Sequence, residues 1–361
     1  MKIVVSNDSY KECLSAGEVA KTIGAALRER WPDAEVLELP LADGGEGTLD
    51  ILAGALGASM YTATVHDPLS RPVIAKFAIA GDTAIVESAQ AIGLALLSPA
   101  ERNPLIASSK GLGELLLAAQ AEGCSRIIVT LGGSATCDGG KGMLDVPGIE
   151  ALKGLDIELL VDVNAPFTGP YGAARVFAPQ KGAFPEDVEI LEERMIIQAA
   201  RLFEDTGVDV TDLPGAGAAG GIAGALVAVL GAVLHNGIDR VLDLVRFDEL
   251  IQDADLIITG EGKSDAQTIM GKVPMGVLKR VNTYNEDVPG SPVGKQIPVV
   301  LVSGRIEDRS KLESAGFAKI IEVSPRDIPL HQLLEPGYAK TMIAMAIKDS
   351  LLILMDTPRV R

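Results

Sequence analysis

The sequence predicts an α/β fold, and three observations carry that prediction. Short β-branched runs alternate with stretches of helical periodicity along the chain. Those runs are apolar nearly throughout, as strands covered on both faces should be. Loops that mix glycine with a carboxylate follow several of them, as where backbone must approach a ligand closely.

The first strand is expected at Lys2–Ser6. A helix follows, opened by a capping box of Ser15 and Glu18. Val19, Ile23, Leu27 and Trp31 recur at helical spacing as its core stripe, and Pro32 ends it. Further strands are expected at Glu35–Leu39, Ala84–Ser88, Arg126–Leu131, Asp255–Thr259, Pro298–Ser303 and Lys319–Val323. Gly111–Ala121 and Gly337–Leu354 read as helices. Leu213–Ile238 carries no formal charge, but Pro214 and the glycines 215, 217, 220 and 221 fill its first third. What remains is too short for a membrane span, so a Gly-rich loop and a buried helix are expected. Val288–Gly294 reads as an exposed loop at a domain boundary.

A chain of 361 residues, 47% of them hydrophobic, folds and suits two domains. The net charge of −17 repels nucleic acid and anionic membrane, so neither is expected as a partner. An anionic ligand must therefore be held by local lysines, helix N-termini and loop amides. Cys13, Cys124 and Cys137 form no CxxC motif, which argues against a disulfide framework and fits a reducing cytoplasm. The apolar run at the start is too short for a signal peptide. His66, His235 and His331 are isolated and lack metal-ligand spacing.

In parallel sheets, ligands sit beyond the carboxyl ends of strands. The segments there are Asn7–Lys11, Ala42–Thr48, Gly132–Gly140 and Gly260–Asp265, and three of the four combine glycine with a carboxylate. Any one is more often a turn; the repetition points to a site. Glycine amides cradle anions, and carboxylates hold Mg²⁺ or accept a hydroxyl proton. With Lys11, Lys141, Lys181 and Lys272 these are the parts of phosphoryl transfer. A Walker A motif is absent. Gly215-x-Gly217-x-x-Gly220 matches a dinucleotide fingerprint, but no clear strand precedes it. A nicotinamide dehydrogenase is the alternative of another class, and a non-catalytic anion-binding module is a further one.

Several stretches together resemble the bacterial glycerate kinase family of class I. They are Asp8–Lys11 with Leu14–Ala16, Ala42–Thr48, Glu101–Pro104, Gly132–Gly140, Asp162–Pro166, Pro179–Ala183, Leu213–Gly221 and Thr259–Gly262, with Asp265, Gln267, Thr268, Gly271 and Lys272. They run in family order. The resemblance implies two α/β domains: a Rossmann-like domain formed by both chain ends, 1–62 plus 289–361, and a larger inserted domain, 63–288. The active site would lie in the cleft between, and either domain could hold ATP. It implies transfer of the γ-phosphoryl group of ATP to D-glycerate with Mg²⁺. The product would be 2-phosphoglycerate, with 3-phosphoglycerate or another small hydroxy-acid substrate as alternatives. A homodimer stays open.

The chain departs from the family at Glu12, where glycine is usual, and at Cys137, where asparagine is commonest. Relatives also carry a longer segment between Met143 and Asp162. The expected base is Asp162, with Asp43 second; Lys11 would hold the substrate carboxylate or the moving phosphoryl group. Asp8, Ser9, Gly44, Gly45 and Glu46 would orient substrate or metal. Ser134, Asp138, Gly139, Gly140 and Gly217 would cradle phosphate, with Gln180 and Lys181 reaching the same charge. Glu261, Asp265, Gln267 and Lys272 would form a far wall, and Asp138 and Glu261 would hold Mg²⁺. Hinges are expected near Tyr61–Val65 and Val288–Gly294.

Overall fold

A computed structural model describes residues 1–269, 271–287 and 296–350. The chain divides into two compact units, Met1–Asp43 with Val241–Arg361, and Gly44–Arg240.

The first unit holds one parallel sheet. Its strands are β1 (Lys2–Val5), β2 (Glu35–Glu38), β9 (Leu256–Ser264), β10 (Val299–Ile306) and β11 (Lys319–Glu322), in the spatial order β11-β10-β9-β1-β2. The central strands are buried, as their apolar runs require. The helix Ala16–Arg30 begins as expected: Ser15 Oγ accepts from Glu18 N at 3.3 Å, and Glu18 accepts from Ser15 N at 3.1 Å. Val19, Ile23 and Leu27 are buried under it, with Trp31 packed alongside. The helix Pro336–Ser350 covers the same sheet face through Ala339, Ile343 and Ile347.

The second unit holds a mixed sheet of β3 (Ser59–His66), β4 (Pro72–Ala80), β5 (Thr83–Glu87), β6 (Arg126–Thr130), β7 (Asp156–Val161) and β8 (Val233–Asn236), in that order. The first two strands form antiparallel pairs; β5 to β8 are parallel. Its core is the larger, with Leu112, Leu116, Ile127, Phe167, Ile222 and Leu226 fully buried. The uncharged segment is a loop, a 3₁₀ turn at Ala218–Gly221 and a buried helix at Ile222–Leu230. Among the described residues no helix is long and apolar enough to cross a membrane.

The unit boundaries fall at 43/44 and 240/241, not at 62 and 288. The reason is β9: it pairs with β1 and β10, so the chain from Val241 onward belongs with the two ends. Tyr61–Val65 is no hinge either, because it lies in the middle of β3, paired residue for residue with β4. The other expected hinge, Val288–Gly294, lies outside the described residues. The Met143–Asp162 connection is continuous: a turn at Ile149–Leu152 leads directly into β7.

Candidate active site

In the first unit the loops after β1 and β2 meet β9. Asp8 N donates to Gly260 O at 2.8 Å, which places Asp8 level with Glu261. Asn7, fully buried, donates its side-chain amide to Asp8 O at 2.7 Å and to Ala16 O at 3.1 Å. Tyr10 donates its hydroxyl to Val302 O at 3.2 Å. The loop is thus tied at three points, and it holds Asp8 buried next to Asp43 and Glu261, also buried. Burial, then the neighbouring charge of Asp43, pushes the Asp8 carboxyl up to about 7, against the opposing Ser9 amide and Lys11 ammonium. Glu261 is raised as well, chiefly by burial. Thr268 Oγ1 and Ser264 Oγ donate to one Glu261 oxygen at 2.6 and 3.0 Å, and Lys272 Nζ stands 3.9 Å from the other. Asp265 accepts from Gln267 N at 2.8 Å. Asp8, Ser9, Lys11, Glu261, Asp265, Gln267 and Lys272 all line one cavity of this unit, of about 570 Å³. The first-unit part of the expected constellation is therefore brought together.

Glu12 has φ 61, the left-handed conformation that glycine adopts without steric cost. That accounts for the glycine usual in the family at this position.

In the second unit the loop after β6 has a different character. Asp138 accepts from Ser109 N and Oγ at 2.9 and 2.8 Å, from Gly142 N at 3.1 Å and from Gly140 N at 3.1 Å. Three of these donors fall on Oδ2 and one, Gly140 N, on Oδ1. Gly139 N donates to Gly220 O and Gly217 N to Ala165 O, both at 3.0 Å. A Cβ on Gly217 would stand 2.2 Å from Pro166 O, and one on Gly220 2.1 Å from Thr136 O. These glycines let loops pack against each other, and the amides of residues 139, 140 and 217 are occupied. Lys181, fully buried, donates to Ser134 Oγ at 3.0 Å and Thr136 O at 2.7 Å; burial pulls its ammonium down from the usual lysine range. Asp138, Lys181 and these three amides are thus engaged within the protein, while Thr136 Oγ1 in the same loop is buried without a hydrogen-bond partner. Gly215-x-Gly217-x-x-Gly220 follows turns rather than a strand, which removes the structural context of a dinucleotide fingerprint.

The remaining expected residues stand near strand ends. Asp162 is exposed, directly after β7. Gly44 takes φ 95, where a Cβ would press on Leu160 O at 3.1 Å. Gly45 lies against Gly132, and Glu46 and Gln180 are exposed. Cys137 is buried, and burial pushes its thiol up to about 11, so it is no nucleophile.

Asn7, Tyr10 and Ser264 lie in segments the sequence singles out but are given no role there, and Ser109 is not named at all. They act by holding other side chains, and residue type alone does not announce that role. Glu87 escaped too: it is buried at the end of β5 and accepts from Gly47 N and Leu49 N, both at 3.0 Å, at the start of the helix Thr48–Leu56.

The family model of the glycerate kinase family matches residues 3–154 and 147–349. The chain belongs to the glycerate kinase family. Its two matched segments meet at 147–154, inside the connection that reads as shorter than in relatives. The glycerate kinase of Bacillus subtilis is 38% identical over 93% of this chain and 93% of its own. The glycerate 2-kinase of Escherichia coli is 41% identical over 80% of this chain and 84% of its own. The crystal structure described as glycerate kinase 2 from Salmonella typhimurium LT2 superposes with a TM-score of 0.80 at 38% identity, covering 98% of both chains. Membership makes this chain a kinase, and the family resemblance and α/β class read from its motifs both hold.

Proposed function

We propose that the chain transfers the γ-phosphoryl group of ATP to a hydroxyl of D-glycerate, giving 2-phosphoglycerate. The observation that carries this is the buried carboxylate group Asp8, Asp43 and Glu261 with Lys11 and Lys272 on the same cavity or beside it, in a member of a kinase family. The choice of carbon 2 is supported by the name of the Escherichia coli relative, a glycerate 2-kinase.

Phosphoryl transfer needs positioning and charge neutralisation more than covalent chemistry. Lys11 and Lys272 neutralise the oxygens of the moving group. A carboxylate takes the hydroxyl proton: in the first unit Asp8 has the proton affinity that suits a general base near neutral pH. Asp162, at the end of β7, is the candidate from the second unit.

The residues fit Mg²⁺ only in part. Asp138 does so only through Oδ1, because three protein donors occupy its Oδ2. Glu261 does, through the oxygen that faces Lys272. Among the described residues no group of three or more His, Cys, Asp or Glu side chains gathers to hold a metal. That suits an ion that arrives on polyphosphate, held by one or two carboxylates. Such an ion would supply charge neutralisation at the phosphates.

ADP release should be measured across D-glycerate, L-glycerate, tartronate and lactate. Turnover confined to D-glycerate supports the assignment. Equal turnover with tartronate replaces it by a broader hydroxy-acid kinase, and ADP release with none of the four contradicts it.

A further inference from the structure

The cavity of the first unit is divided by chemistry. One part of the lining is polar, from the loop after β1, the end of β9 and the segment after it, and carries Lys11, Lys272 and Glu261. Another part is mainly apolar, from Val323 beyond β11, the short helix Leu330–Leu333 with Leu334, and the helix Pro336–Ser350 through Ala339 and Met342, with Ser324 and Tyr338 as its polar members. Glycerate has three carbons, each bearing oxygen, and no surface that an apolar wall would favour. A cavity of 570 Å³ is also far more than it needs. A nucleotide has both parts: a flat, weakly polar base and a polyanion.

We propose that this cavity is the adenine-nucleotide site of the enzyme, with the base against Leu330, Leu333, Leu334 and Met342 and the phosphates toward Lys11 and Lys272. The assignment rests on the kinase reading above and says which unit takes the nucleotide. The polar rim carries acids as well as bases: Lys263 lies 3.1 Å from Glu307 and 3.7 Å from Asp265, and Lys272 lies 3.9 Å from Glu261. Such a mixed rim accepts a cation-bound polyphosphate better than a bare anion of small size. Position agrees with chemistry, because the polar rim stands at the carboxyl ends of parallel strands.

The test is direct ADP binding by calorimetry, on the full chain and on two variants. Leu330 is 68% exposed, so Leu330→Asp leaves the core intact. It places a carboxylate against the base and should weaken ADP binding about tenfold or more, about 1.4 kcal/mol. Leu333→Ala should weaken it several-fold by removing contact area. In turnover, KM for ATP should rise with both while KM for D-glycerate stays within about twofold. Unchanged ADP affinity in both variants overturns the proposal, as does a rise confined to KM for D-glycerate. ADP binding that is weakened by both variants in a protein that phosphorylates no hydroxy acid would support this site and overturn the glycerate assignment, so the two readings fail separately.

Discussion

Two segments that look alike in sequence differ in the structure. Gly260–Asp265 with Lys272 and Gly132–Gly140 with Lys181 both combine glycines, a carboxylate and a lysine, the first as the end of the buried strand β9 and the second as the loop after the buried strand β6. In the second unit Asp138 accepts from four protein donors, and the Lys181 ammonium is engaged by Ser134 and Thr136. In the first unit Asp8 and Glu261 are buried with their proton affinities raised, and both line a cavity, although Glu261 also has Thr268, Ser264 and Lys272 beside it. Composition identifies a candidate segment in both units; what distinguishes the first is that its carboxylates line a cavity.

The contrast can be broken by substitution. The largest effect on activity is expected at Lys11, which is exposed on the cavity rim. Lys11→Ala should lower kcat/KM about 100-fold or more. Its melting temperature should move by less than about 2 °C, because the side chain is exposed and its removal leaves no cavity in the core. Turnover near that of the unmodified chain would remove Lys11 from the site.

Asp138→Ala should do the opposite. It orphans Ser109 N and Oγ, Gly142 N and Gly140 N, which costs about 3 kcal/mol or more. The melting temperature should fall by roughly 6–12 °C. A stable variant without activity would mean that Asp138 contacts substrate or metal after all.

Asp8 sharpens the comparison through pH. Its folded-state pKa of about 7 lies above the ordinary 3.8, so the folded chain keeps a proton that the unfolded chain has lost. Stability should therefore decline as pH rises from about 4 to about 7 and level off above. Asp8→Asn should flatten that slope and gain a few kcal/mol near pH 8, while turnover falls. An identical pH–stability profile in the variant would contradict the assigned burial of charge.

The smallest effect belongs to Glu12. Glu12→Gly relieves a left-handed backbone but adds freedom to the unfolded chain, so a net gain on the order of 0.5 kcal/mol is expected, read by denaturant melts.

Much of the fold was legible because buried parallel strands announce themselves by composition. Lys2–Val5, Arg126–Thr130 and Leu256–Thr259 are such runs, whereas Gly260–Ser264, expected as a loop for its glycines and charges, continues β9 in pairing with β10. β3 was not legible because most of its side chains are exposed and its Ser, Thr and His break the apolar run. β7 hid behind Asp156 and Glu158; Glu158 is buried there by Arg126 at 2.7 Å and Arg240 at 2.6 Å, a pairing across distant sequence that no local pattern shows. The candidate site was legible in part. Asp8, Lys11, Glu261 and Lys272 stand out in the sequence because motif and strand-end position agree, and the structure places them on one cavity. That Asp138 and the Gly217 amide have partners within the protein was not legible, because nothing in local sequence says whether a loop amide or carboxylate is already bonded. The capping box at Ser15 was read correctly because its bonds span only three residues.

The central claim, transfer of phosphate to D-glycerate at carbon 2, is tested most directly by proton-coupled phosphorus NMR of the full chain with ATP, Mg²⁺ and D-glycerate. Carbon 2 carries one proton and carbon 3 carries two, so the predicted result is a new phosphomonoester doublet. A triplet would place the phosphate on carbon 3, and intact ATP beside folded protein would contradict the glycerate assignment itself.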